Sequence, residues 1–220
     1  MTFDFPAHNS TFFLPGPAGK IEAMLELPAF FGLQSPVVLI CHPHPPDGGT
    51  MNNKVVTTIA KAFIESGFIS LRFNFRSVGQ SEGIYDHGRG ELLDCLAVLD
   101  WLRKVRPGAA IALAGFSFGS WVALKAIESI NPMLMVSIAP PVGFRDFADV
   151  RHPNCPWLAI QGMSDEVVDA DTVVSWLEQQ NPVPDIIAME DTSHFFHGKL
   201  VPLRAHISAF LNRFKASINA

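Results

Sequence analysis

Unbroken apolar runs alternate along the chain with stretches whose apolar residues recur every three or four positions. Pro36-Val-Val-Leu-Ile-Cys41 is the first unbroken run, the signature of a strand buried on both faces. From Asn53 to Glu65 the apolar positions Val56, Ile59, Ala60, Phe63 and Ile64 follow helical spacing, and Gly67 marks the stop. Phe68 to Phe75 reads as the next strand. Gly90 to Val105 reads as the next helix, with Leu92, Cys95, Leu96, Leu99 and Leu102 on one face. Ala110 to Ala114 and Met133 to Ala139 are further strands around a helix-like stretch, Trp121 to Glu128. Trp157 to Gln161 and Asp185 to Met189 flank a helix over 170–180, and a terminal helix covers about 199–215.

The N-terminal part departs from this rhythm. Thr11 to Leu14 and the alternating run Ile21 to Leu27 flank Gly16-Pro-Ala-Gly19, which predicts a hairpin at a sheet edge. Strands alternating with helices elsewhere imply right-handed crossovers and a mostly parallel sheet covered on both faces. Ligands of such sheets bind beyond the carboxyl ends of the strands. No repeat, low-complexity tract or linker divides the chain, so a single domain over 1–220 is expected.

Composition narrows the partners. With 48% hydrophobic and 17% charged residues, the chain reads as folded rather than disordered. A net charge of -5 without a Lys/Arg cluster argues against nucleic acid. Cys41, Cys95 and Cys155 are odd in number, far apart and set among apolar residues, which suits reduced, mostly buried thiols. The Met1 to Pro6 segment lacks a basic stretch followed by an apolar core, and no run reaches membrane-spanning length, so a cytoplasmic protein is expected.

Chemistry concentrates at Gly115-Phe116-Ser117-Phe118-Gly119, between a strand and a helix. In that setting Gly-x-Ser-x-Gly forms a nucleophile elbow, a turn tight enough to strain the serine backbone and present its hydroxyl. A serine hydroxyl needs a base to take its proton and a third group to orient the base. The chain order for an elbow serine is Ser, acid, His. Asp165 follows the strand ending at Gln161, and His194 follows the last strand, both on loops at the carboxyl edge. Of the eight histidines, His197 is the rival base, one helical turn into the next segment. Glu166, Asp169 and Asp171 are alternative acids, or else charges placed favourably at a helix N-terminus.

Together with Cys41-His-Pro-His-Pro-Pro-Asp-Gly-Gly-Thr-Met51 and Leu71-Arg-Phe-Asn-Phe-Arg-Ser-Val-Gly-Gln-Ser-Glu-Gly83, these residues resemble the α/β-hydrolase fold, and within it a group of small lidless bacterial hydrolases. Ser77 stands where that group usually has glycine. The resemblance implies an α/β-hydrolase fold without a cofactor and a Ser117-Asp165-His194 triad. An oxyanion hole would combine the Phe118 N–H with one from the loop at 42–46, where prolines leave only His42 and His44 as donors. The His-Gly-x arrangement common in the fold favours His44.

Only Pro140 to Cys155 is available where lids are usually inserted, so little or no lid is expected. The expected activity is serine-dependent cleavage of carboxylic esters or thioesters of small molecules; a peptidase or amidase would use the same triad, and a non-catalytic ligand-binding member is a third reading. His42-Pro-His44 with Asp47 also has metal-ligand spacing, but the other histidines do not complete a zinc set. Gly48 to Lys54 lacks the Gly-Lys-Ser/Thr ending of a phosphate loop and reads as loop and helix cap. Arg76 and Glu82 read as loop-fixing ion pairs rather than pocket residues. Of Phe116, Phe118, Phe195 and Phe196, one or two are expected beside the serine as an apolar wall. Monomer and homodimer are both open.

Overall fold

The computed structural model describes residues 5–148 and 150–218; residues 1–4 of the Met1 to Pro6 segment read above for a targeting signal lie outside them. Strands β1 (Ser10–Gly16), β2 (Gly19–Glu26), β3 (Val37–Cys41), β4 (Ile69–Phe73), β5 (Ile111–Phe116), β6 (Met135–Ile138), β7 (Trp157–Gly162) and β8 (Asp185–Met189) form one sheet. Its order is β1-β2-β4-β3-β5-β6-β7-β8. The hairpin β1–β2 is antiparallel and at one edge, β2 joins β4 antiparallel, and every later pairing is parallel.

Helices α1 (Lys54–Glu65), α2 (Arg89–Val105), α3 (Phe118–Ala126), α4 (Ala170–Glu178) and α5 (Leu200–Ile218) cover both faces. The period of two divides each central strand between two cores. Val37, Leu39 and Cys41 pack with residues of α2, α3 and α4, whereas Val38 and Ile40 pack with α1 and α5. All five β3 residues are therefore buried, which explains a run with no polar alternation. A strand exposed on one face would have needed polar residues at every second position.

Local signals match their sequence. Asn53 is the N-cap of α1, its side chain accepting from the Val55 N–H at 2.8 Å. Gly67, at φ +82°, supplies the left-handed residue just past that helix. Ser77 also has positive φ, +68°, a conformation glycine adopts without the steric cost that serine bears there. The segment from Pro140 to Cys155 contains turns and a bridge between Val142 and Arg145 but no helix among its described residues. No helix among the described residues is long and apolar enough to cross a membrane.

Candidate active site

The elbow forms because β5 ends at Phe116 and α3 begins at Phe118, leaving one residue to turn the chain. That residue, Ser117, has φ +52° and ψ -123°, a sparsely populated region, and its N–H donates to the Ile138 carbonyl at 2.8 Å. The helix passes close to the end of β3. A Cβ on Gly119 would lie 2.2 Å from the Cys41 carbonyl oxygen, so only glycine fits there. The loops after β5, β7 and β8 then face one another at the carboxyl edge.

The Ser117 hydroxyl lies 3.0 Å from His194 Nε2, and His194 Nδ1 lies 2.8 Å from Asp165 Oδ2. Both histidine nitrogens are thereby committed. An ionised carboxylate can only accept, so Nδ1 carries the proton and Nε2 accepts the serine O–H. The imidazole packs against the Phe116 ring at 5.2 Å and the Phe195 ring at 5.1 Å, and His194 is 2% exposed. Asp165 also takes the Val167 and Val168 N–H groups on Oδ1 and the Gln161 Nε2 on Oδ2. Burial raises its pKa, but hydrogen bonds from His194, Val168 and Val167, with the attraction of His194, outweigh it and hold the carboxyl below its ordinary value.

The remaining carboxylates have other tasks. Glu166 accepts the His194 backbone N–H at 3.0 Å, fixing the loop that carries the imidazole. Asp169 is the N-cap of α4, bound by the Thr172 N–H at 2.7 Å. Asp171 lies in the first turn of the same helix. His197, the rival base, is exposed in the turn before α5. Gln161, which the sequence reading did not name as a site residue, and Glu166, which it named only as an alternative acid, support the site. Gln161 signals itself only as a polar residue at the end of a buried apolar strand, and Glu166 only as the acid beside Asp165.

On the other side of Ser117, the 42–49 loop is held by its own polar groups. His42 is fully buried; its Nδ1–H donates to the Pro43 carbonyl at 2.7 Å and its Nε2 accepts the Phe75 N–H at 3.0 Å. His44 bonds Asp47 through Nδ1 and the Tyr85 hydroxyl through Nε2, each at 2.7 Å. All four imidazole nitrogens are thus occupied, leaving no lone pair for the metal reading of His-x-His. The His44 N–H has no acceptor among the described residues. The Phe118 N–H opens α3 and lacks an intrahelical partner.

A cavity of about 220 Å³ joins these groups, lined by Pro43, His44, Gly49, Ser117, Val167, His194 and Phe195 among others. Phe195 thus forms the expected apolar wall, whereas the rings of Phe116, Phe118 and Phe196 are buried. Arg76 is outside this wall: its guanidinium makes two bonds to Asp94, at 3.0 and 2.8 Å. Glu82 makes no ion pair among the described residues; it accepts the Lys20 backbone N–H and so fastens its loop to the β1–β2 hairpin, away from the site.

Burial lowers the His42 pKa to about 3. Its folded pKa lies below the unfolded value near 6.5, so the stability is complete above about pH 6.5 and is lost as pH falls towards the folded value. Urea unfolding followed from pH 7 to pH 5 is expected to show stability falling by about 1.4 kcal/mol per pH unit below pH 6.5. A flat profile would contradict a neutral, enclosed His42.

A mostly parallel sheet with a strained serine at its carboxyl edge defines an α/β hydrolase. A lidless α/β serine hydrolase from Xanthomonas campestris is 44% identical, with 97% of this chain and 98% of that one covered at a TM-score of 0.92. An α/β serine hydrolase homologue from Coxiella burnetii is 42% identical over 94% of this chain and 99% of that one, at a TM-score of 0.89. A protein of Rickettsia prowazekii described as uncharacterized is 36% identical over 208 residues, 89% of this chain and 86% of that one. Residues 20–159 match the model of the X-Pro dipeptidyl-peptidase (S15) family. The chain belongs to that family, within the α/β-hydrolase superfamily, and is a hydrolase.

Proposed function

We propose that the protein is a serine hydrolase that cleaves carboxylic esters and thioesters with short acyl groups. The observation that carries this reading is the continuous hydrogen-bond chain Ser117–His194–Asp165, at 3.0 and 2.8 Å, opening onto the cavity. Ser117 Oγ attacks the carbonyl carbon while His194 Nε2 takes the hydroxyl proton. The carbonyl π electrons move onto oxygen, which the His44 and Phe118 N–H groups stabilise. The tetrahedral intermediate collapses, the bond to the leaving oxygen or sulfur breaks, and His194 returns the proton to that atom. Water activated by the same imidazole then cleaves the acyl-serine. Asp165 stays ionised throughout, orienting the imidazole and stabilising its cation.

These residues supply nucleophile, base and oxyanion donors without a cofactor, and residues 1–220 form one hydrolase domain in this reading. At about 220 Å³ the cavity is smaller than a typical small-molecule pocket, which suits short acyl chains. Peptide cleavage is the second reading, favoured by the family model; that match ends at residue 159, before Asp165 and His194. A panel of p-nitrophenyl acetate, butyrate and decanoate, an acyl thioester and X-Pro p-nitroanilides separates the two. The expected result is highest kcat/KM on the acetate or butyrate. X-Pro anilide cleavage exceeding that of every ester and thioester would overturn the ester reading.

A further inference from the structure

We infer that Tyr85 and Arg145, with Asp47, are positioning residues that hold the two oxyanion donors as one unit; this rests on the ester-hydrolase reading above. The His44 side chain lines the cavity yet has no free nitrogen, so it neither transfers protons to substrate nor binds it through the ring. What it does is anchor its own backbone. Arg145 Nη2 donates to the Tyr85 oxygen at 2.9 Å, Tyr85 O–H donates to His44 Nε2, and His44 Nδ1–H donates to Asp47. Every donor in this chain meets an acceptor, and bonds aligned in one direction polarise one another.

The chain wraps the ring of Phe118, the residue whose N–H is the other donor. The His44 ring lies 5.4 Å from the Phe118 ring, Tyr85 lies 6.3 Å from it, and the Arg145 guanidinium sits 5.0 Å above it. Arg145 also lies over Trp121, whose indole N–H donates to the Asp146 carbonyl at 2.9 Å. Segments following β3, β4 and β6 are thereby fastened to the elbow helix. No carboxylate pairs with Arg145 among the described residues.

Backbone geometry shows what the anchor controls. The Pro43 carbonyl is turned to the His42 ring, and a trans planar peptide then directs the His44 N–H to the opposite side. The His44 carbonyl accepts the Asp47 and Gly49 N–H groups at 3.2 and 3.0 Å. With both flanking carbonyls tied, the ring contact to Tyr85 sets the remaining freedom of this residue. Arg145, from the short segment after β6, braces this loop through the Tyr85 hydroxyl.

The test compares wild type with Tyr85→Phe, Arg145→Met and Arg145→Lys, using p-nitrophenyl butyrate and a short alkyl trifluoromethyl ketone, which forms a tetrahedral adduct on an active serine. Tyr85→Phe and Arg145→Met are expected to lower kcat about tenfold with KM within twofold of wild type. Ketone affinity should fall by the same factor as kcat/KM, and Arg145→Lys, which keeps a donor, should recover most of the loss. The inference is overturned if kcat and ketone affinity stay at wild-type values. It is equally overturned if ketone affinity is unchanged while thermal stability, KM and kcat decline together, the pattern of a structural role. A wild type that neither turns over esters nor reacts at Ser117 overturns the ester reading itself, and the positioning role with it.

Discussion

Ser117→Ala is expected to remain folded and to lose ester turnover by about a million-fold, the scale of removing the nucleophile from a comparable serine hydrolase. The loss is large because no neighbouring group can take over. His194 is committed to Asp165 on one side and to the serine on the other. The His44 ring is occupied by Asp47 and Tyr85. Stability should change little, because the serine hydroxyl bonds only the imidazole and the alanine methyl fits the same space. The strained φ of +52° stays in place, set by β5, by the Ile138 carbonyl and by the glycines around the turn. Steady-state hydrolysis beside a thermal melt checks both halves of the expectation.

Asp165→Asn should lower kcat by about ten-thousand-fold while preserving geometry. The structure dictates which way the new amide points. Oδ1 receives two backbone N–H groups, from Val167 and Val168, so the carboxamide oxygen must occupy that position. The NH2 group then faces His194 Nδ1 and donates to it. Nδ1 becomes the acceptor, the ring proton moves to Nε2, and the base no longer has a lone pair for the serine O–H. The same substitution places an NH2 against the Gln161 amide N–H, at a cost of about 1–3 kcal/mol for the unmatched donors. Kinetics with a thermal melt and a histidine tautomer assignment by 15N resonance would test this. Activity within tenfold of wild type would show that Asp165 does not set the tautomer.

How much of this was legible in the chain follows from the range over which each signal acts. Buried parallel strands such as Val37–Cys41 announce themselves because both faces are covered, and α1 because its cap, stripe and stop are all local. The elbow, Asp165 and His194 could be named as candidates because the fold that the chain resembles fixes the order of such residues and their place after particular strands. The supporting contacts could not. Glu166 reaches the His194 backbone across 28 positions, and His44 meets Tyr85 across 41, so no local spacing reveals either contact. His197 shows the limit of local spacing: it lies three positions after His194, and only the fold places it exposed, in the turn before a last helix whose start the periodicity put at about 199. Ser77, with its positive φ, is a position where sequence alone shows an unusual residue but not the backbone conformation it must hold.

The central claim, that Ser117 is the nucleophile of an acyl-transfer site, is tested most directly by a fluorophosphonate probe with intact-mass and peptide analysis. Wild type, Ser117→Ala and Asp165→Asn would be treated in parallel with a pre-steady-state burst on p-nitrophenyl butyrate. One adduct per chain, on Ser117, is expected in the wild type, with a burst amplitude equal to the enzyme concentration. Asp165→Asn should label slowly at the same residue and Ser117→Ala not at all. An adduct elsewhere, or undiminished turnover in Ser117→Ala, would contradict the account.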